Sequence, residues 1–138
     1  MSSVLEKLIR IRRYTENIAR QDLVSAQNME QRTATALADT SARVADSSDA
    51  VNPNIATDVA MHHAYSLKME MVRRTQANEL VAQKREVSSK RNDLREASVQ
   101  SRILTRLGEI RDDVLEQDAR KSSQRQLDEV GALLWMRR

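Results

Sequence analysis

The sequence has no cysteine and no phenylalanine, and only one proline and two glycines in 138 residues. Without cysteine, a disulfide framework and a thiolate metal site are both excluded, which fits a reducing compartment. Tyr14, Tyr65 and Trp135 are the only aromatics, so the side chains that usually fill a rounded interior are scarce. Pro53, Gly108 and Gly131 alone punctuate the chain, and a structure with few turns follows. No stretch has the length and apolarity of a membrane span, and the first residues lack the uninterrupted apolar run of a signal peptide. The expectation is a soluble, cytoplasmic protein without direct membrane insertion.

What is present is Ala, Leu, Val, Ile and Met spread among many charged and amide side chains, the balance of a long helix or coiled coil. The formal charge of +3 hides an uneven distribution. Residues 1–20 and 84–111 are net basic, and residues 21–60 are net acidic. A nucleic-acid surface gathers its basic groups around stacking aromatics. Those are missing, so no nucleic-acid partner is expected.

Ser3 followed by Glu6 matches a capping box, which predicts a helix from about residue 3 to about 46. Its apolar residues Val4, Leu5, Leu8, Ile11, Ile18, Ala26, Met29, Ala34, Leu37 and Val44 recur mostly three or four apart and read as one stripe. From Asp46 to Pro53 the chain concentrates residues that compete with helical hydrogen bonds. Asn52 as a cap and Pro53 as a first helical residue then predict a restart. A second helix is expected over about 54–136, on the order of 120 Å at the standard rise. Its stripe runs through Met61, Tyr65, Val72, Leu80, Val87, Leu94 and Ala97, then Ile103, Leu107, Ile110 and Val114, then Leu127, Val130 and Leu134. Residues 83–100 are polar nearly all round, and a monomer should be soft there.

These segments predict an all-α fold: an antiparallel coiled-coil hairpin in a single elongated domain, with the second helix longer than the first. The first helix covers roughly 65 Å and should end its return beside about Leu94. Ile103, Leu107, Ile110 and Val114 would then project past it as a bare apolar stripe, and such a stripe implies an external partner. Self-association through the same residues is the other reading.

Nothing in the pattern points to catalysis. His62 and His63 are adjacent, about 100° apart on a helix, and cannot jointly hold a metal as an i, i+4 pair can; both read as solvated. Asp112, Asp113, Asp128 and Glu129 lie on polar faces without a cleft, and no phosphate-binding glycine loop occurs. No enzyme activity, cofactor or metal is expected. Lys7, Arg10, Arg12 and Arg13 form a basic collar beside Leu8 and Ile11, and Arg137 and Arg138 follow Trp135. Cations mixed with apolar anchors are what interface residues look like, and Trp135 is the best single candidate for a contact.

The opening, Val4-Leu5-Glu6-Lys7-Leu8-Ile9-Arg10-Ile11-Arg12 with Glu16 and Ala19, resembles that of the FliJ/YscO proteins, stalk components of flagellar and type III secretion export machines. The run Gln124-Arg125-Gln126-Leu127-Asp128-Glu129-Val130 with Arg137 and Arg138 is similar to that family's C-terminal pattern. The resemblance covers both ends and the two-helix layout. Between about 34 and 100 it extends only to being helical. It implies a shaft that enters the ring of a hexameric export ATPase and reaches toward a membrane export gate, at the cytoplasmic side of the inner-membrane secretion apparatus; some members also handle export chaperones. Arg10, Arg12, Leu127, Asp128 and Glu129 match family positions. The roles of Arg13, Trp135 and Arg138 rest on the residues themselves. The lack of Phe and the Asn-Pro turn depart from many flagellar members and lean toward the injectisome branch.

Overall fold

The structure, a computed structural model, describes the backbone of residues 2–137 and the side chains of residues 4–137. It is an antiparallel hairpin of two helices, α1 (Ser2–Asp49) and α2 (Ala56–Met136), with no strand among the described residues. Neither helix contains proline, and α1 contains no glycine, so nothing in the backbone chemistry interrupts either. The Ser3 side chain lies outside the described residues, and with it the capping box.

α1 runs three residues further than the sequence predicts. Ser47 explains this: its hydroxyl lies 3.2 Å from His62 Nδ1 on α2, and that contact outweighs the local preference of Asp46-Ser47-Ser48 for a turn. The restart also differs. Asn52 and Pro53 do not cap α2 but form the bend that precedes it. The Asn52 side-chain oxygen accepts from the Asn54 N–H at 3.0 Å, and the Asn52 carbonyl accepts from the Ile55 N–H at 3.1 Å. Pro53 thus sits second in a four-residue turn, where its fixed φ is favoured. The first carbonyl of the new helix ladder is that of Ile55, bonded by Val59 N–H at 3.1 Å.

The helices contribute to two compact units, Asn17–Glu96 in one and Met1–Glu16 with Ala97–Arg138 in the other. In the first, the less exposed positions of α1 alternate by three and four through Leu23, Ala26, Leu37, Thr40 and Val44, the spacing of a seam between two helices. On α2 the same alternation passes through Tyr65, Val72, Leu80 and Val87. It takes two successive steps of four at Val72, Gln76 and Leu80, a stutter that locally unwinds a coil. At that level the buried Thr40 hydroxyl lies 2.9 Å from the Ala36 carbonyl oxygen and 2.8 Å from Gln76 Oε1, two acceptors sharing one proton.

In the second unit, Leu5, Ile9 and Glu16 of α1 face Ala97, Ser101, Leu104 and Gly108 of α2. Ser98 Oγ donates to Glu16 Oε1 at 3.0 Å, and the Arg12 guanidinium donates to Gln100 Oε1. A Cβ at Gly108 would lie 3.4 Å from Ile9 Cδ1 and 3.8 Å from Leu5 Cδ2. The start of α1 therefore lies beside Gly108, not Leu94 as expected. Two shifts produce the difference: α1 continues to Asp49, and α2 first engages it at His62 opposite Ser47, so later partners lie further along α2. Ile103, Leu107 and Ile110 consequently do not project beyond α1. They lie alongside it, outside the seam.

Candidate protein-binding surface

The side chains buried most deeply are small or slender. Ala26, Val87 and Ala97 are the buried apolar residues and Thr40 and Ser101 the buried polar ones, and no large side chain is fully buried among the described residues. Many large apolar side chains instead line the outside, and in the unit formed by 1–16 and 97–138 they do so in order.

Val4, Leu8 and Ile11 each precede a position turned to α2, namely Leu5, Ile9 and Arg12. On α2, Ile103, Leu107 and Ile110 likewise precede Leu104, Gly108 and Arg111. One residue back along a helix is a rotation of about 100°. Because the helices are antiparallel, that same backward step turns both stripes to the same side of the hairpin. Three large aliphatic residues from each helix therefore share one face, with exposures from 42% for Leu8 to 65% for Val4. The sequence reading sets Val4, Leu8 and Ile11 in the one stripe of the first helix and takes Leu8 and Ile11 as anchors beside the basic collar, but does not join them to Ile103, Leu107 and Ile110. The signal was present: apolar residues at 4, 5, 8, 9 and 11 make a band too wide for a single neighbouring helix.

The other side of this unit is charged with both signs, Glu6, Glu109 and Asp112 each following a position turned to the partner helix. Arg10 follows Ile9, Arg13 follows Arg12 and Arg102 follows Ser101, so the forward rotation turns all three away from the apolar face. Ser101, Arg102, Thr105, Arg106 and Glu109 line a shallow hollow of about 350 Å³ there, with Arg106 Nη1 3.1 Å from Glu109 Oε2. The basic collar thus divides. Arg10 and Arg13 stay on one face, while Arg12 reaches across to Gln100.

Beyond Arg111 every described residue of α2 is exposed. Val114, Leu127 and Trp135 lie in this stretch, with Trp135 at 77%. Asp128 Oδ1 accepts from Gln124 Nε2 at 3.2 Å, and Glu129 is exposed. Arg138 lies outside the described residues. The helix rises roughly 35 Å between Leu104, near the level of Arg10, and Leu127. The two clusters predicted from the ends are therefore separate surfaces.

At the bend, His62 does not behave as a solvated side chain. Its ring lies in the seam with Nδ1 against Ser47 Oγ and Nε2 3.3 Å from Ser66 Oγ, while His63 is exposed. The neighbouring hollow of about 340 Å³ also touches Asp58, Met61 and Tyr65. Among the described residues, no group of three or more His, Cys, Asp or Glu is placed to hold a metal ion, and no helix is long and apolar enough to cross a membrane. The strongest electrostatic perturbation lies elsewhere on the helix surface. The hydrogen bond from Arg73 holds the Glu70 carboxyl down at about 2, with Arg73's charge and Arg74 assisting against partial desolvation; the Arg73 guanidinium is raised in return.

No family model, curated protein or solved structure matches the chain.

Proposed function

We propose that this chain is a non-enzymatic central stalk of a type III secretion export apparatus, in the cytoplasm at the inner membrane, that binds the hexameric export ATPase and links it to the membrane export gate. The observation that carries the reading is the stretch of α2 after Arg111, a single helix with every described residue exposed. A lone helix is thin enough to enter the pore of a ring. Leu127, Val130, Leu134 and Trp135 are each more than half exposed. At about 1.5–3 kcal/mol for a fully buried large apolar side chain, they offer several kcal/mol to a partner, from which the cost of association is subtracted. The resemblance of both ends to the FliJ/YscO proteins supports the same assignment, and Arg10 and Arg13 supply cations on an exposed face.

Charge reversal of Arg10, Arg12 and Arg13 to Glu is expected to weaken binding to the export ATPase at least tenfold while helicity by circular dichroism stays nearly constant. Unchanged affinity rules the reading out. A second reading, a coiled-coil adaptor or export chaperone acting as a dimer, draws on the large apolar side chains left exposed along both helices; a stable dimer by light scattering would favour it.

A further inference from the structure

We infer that the apolar face built from Val4, Leu8 and Ile11 with Ile103, Leu107 and Ile110 is a docking groove for one short amphipathic helix of a partner protein, with acidic residues flanking its apolar stripe. The inference stands apart from the stalk reading, which rests on the later part of α2. It follows from the size of the face and the charge along its borders.

Val114 extends the stripe at one end. From Ile103 to Val114 the helix rises roughly 17 Å, and packed helix axes lie ~8–10 Å apart. The strip is therefore on the order of a couple of hundred Å², well below the ~800 Å² that each partner of a stable complex buries. A second copy of the hairpin would find too little apolar surface here. Three turns of one helix, with anchors at i, i+3/i+4 and i+7, match its length and its shape between two parallel ridges.

The borders choose the charge. Lys7 lies three residues after Val4 and four before Ile11, and Arg106 stands in the same relation to Ile103 and Ile110. On a helix those separations make neighbours, so Lys7 edges its stripe between two anchors, and Arg106 stands on the outer edge of α2 between its stripe and the hollow that it lines with Glu109. Arg106 is shared with Glu109 in an exposed pair, which contributes little; Lys7 has no ion pair among the described residues. Asp113 is the acidic exception, beside Ile110 at the far end. Face-to-face pairing of two copies would set Lys7 and Arg106 against their own kind. An acidic border on the incoming helix meets both favourably.

Two fluorescein-labelled helical peptides of fourteen residues test this, sharing one leucine stripe and flanked by Glu in one and Lys in the other. Titrated with the full chain at low salt, the Glu-flanked peptide is expected to bind in the range of tens of micromolar and the Lys-flanked one at least tenfold more weakly. Leu8→Gln with Leu107→Gln should weaken the first at least tenfold at unchanged helicity, and Lys7→Glu with Arg106→Glu should invert the preference. Equal binding of the two peptides, binding of neither, or indifference to the leucine variant overturns the inference. So does a dimer that the leucine variant dissociates, since the face would then belong to a second copy. Export-ATPase binding measured on the same variants keeps the two readings distinct: if it persists while the peptides fail, only the groove falls.

Discussion

Residues 97–111 and 112–137 of α2 differ in composition, four charged side chains in fifteen with net +2 against ten in twenty-six with net −2, and they also live in different surroundings. In the first, Ala97 and Ser101 are buried against α1 while Ile103, Leu107 and Ile110 remain about half exposed; in the second, every described residue is exposed. The second is the more polar of the two. Coverage by α1 separates them further, and where α1 is present Ala97, Ser101 and Gly108 lie against it with Leu5 and Ile9, while Ile103, Leu107 and Ile110 turn outward. A pair of helices meeting over Ala, Ser and Gly gains little apolar burial per residue, which leaves the larger residues available to other chains.

The widest gap between the two regions should appear on introducing charge. Ala97→Asp would place a carboxylate between the helices at a site only 9% exposed, at a cost of about 3 kcal/mol. Leu127→Asp, at a site 67% exposed, should change stability by no more than about 0.5 kcal/mol. Urea midpoints followed by circular dichroism measure both, and equal losses would break the comparison.

The two glycines offer a finer probe. Nothing lies within 4 Å of a Cβ built on Gly131, so Gly131→Ala should add only the helix-propensity gain of about 1 kcal/mol, seen as slower amide exchange around it. At Gly108 the new methyl meets Ile9 and Leu5 at ordinary contact distance. Gly108→Ala should therefore raise the global urea midpoint as well, by the equivalent of about 1 kcal/mol. A lowered midpoint would mean the helices approach more closely than the structure shows.

The smallest effect concerns an exposed charge far from either region. Because the folded-state value of Glu70 is depressed from 4.5 to about 2, its contribution is present above the ordinary value and disappears as pH falls through the depressed one. Glu70→Gln should flatten that part of the acid limb. Midpoints of the two proteins that track each other throughout this window would remove the Arg73 contact from the stability account.

Much of the architecture was legible because proline and glycine are scarce and apolar spacing is helical: two helices, a bend near Asn52 and a longer second helix all follow. The partition of the apolar residues was not. Leu8 and Ile9 are one residue apart, and only the register of α1 on α2 decides which faces inward; that register is set by contacts such as Ser47 with His62, which no local pattern encodes. The same ignorance hid Val4, Leu8 and Ile11 as partners of Ile103, Leu107 and Ile110. Arg12, one of the four cations of the collar, differs from Arg10 and Arg13 because its position turns it toward Gln100. His62 departs from a solvated reading for a related reason: Ser66 is its neighbour one turn along the same helix, but Ser47 meets it only once the hairpin closes.

The seam repeats nearly by heptads, with Ala26, Thr40, Ala97 and Ser101 set among Leu23, Leu37, Leu80 and Val87, so sliding one helix past the other by a heptad would bring the same spacing back into register. Polar groups forbid the slide. The Thr40 hydroxyl meets an amide oxygen where Gln76 stands, and Ser98 meets a carboxylate at Glu16, so a displaced alignment would lose both contacts between the helices and leave the threonine only its own helix's Ala36 carbonyl. Alignment of the hairpin is thus keyed by hydrogen bonds, and the tight bend at Asn52 serves as its covalent stop.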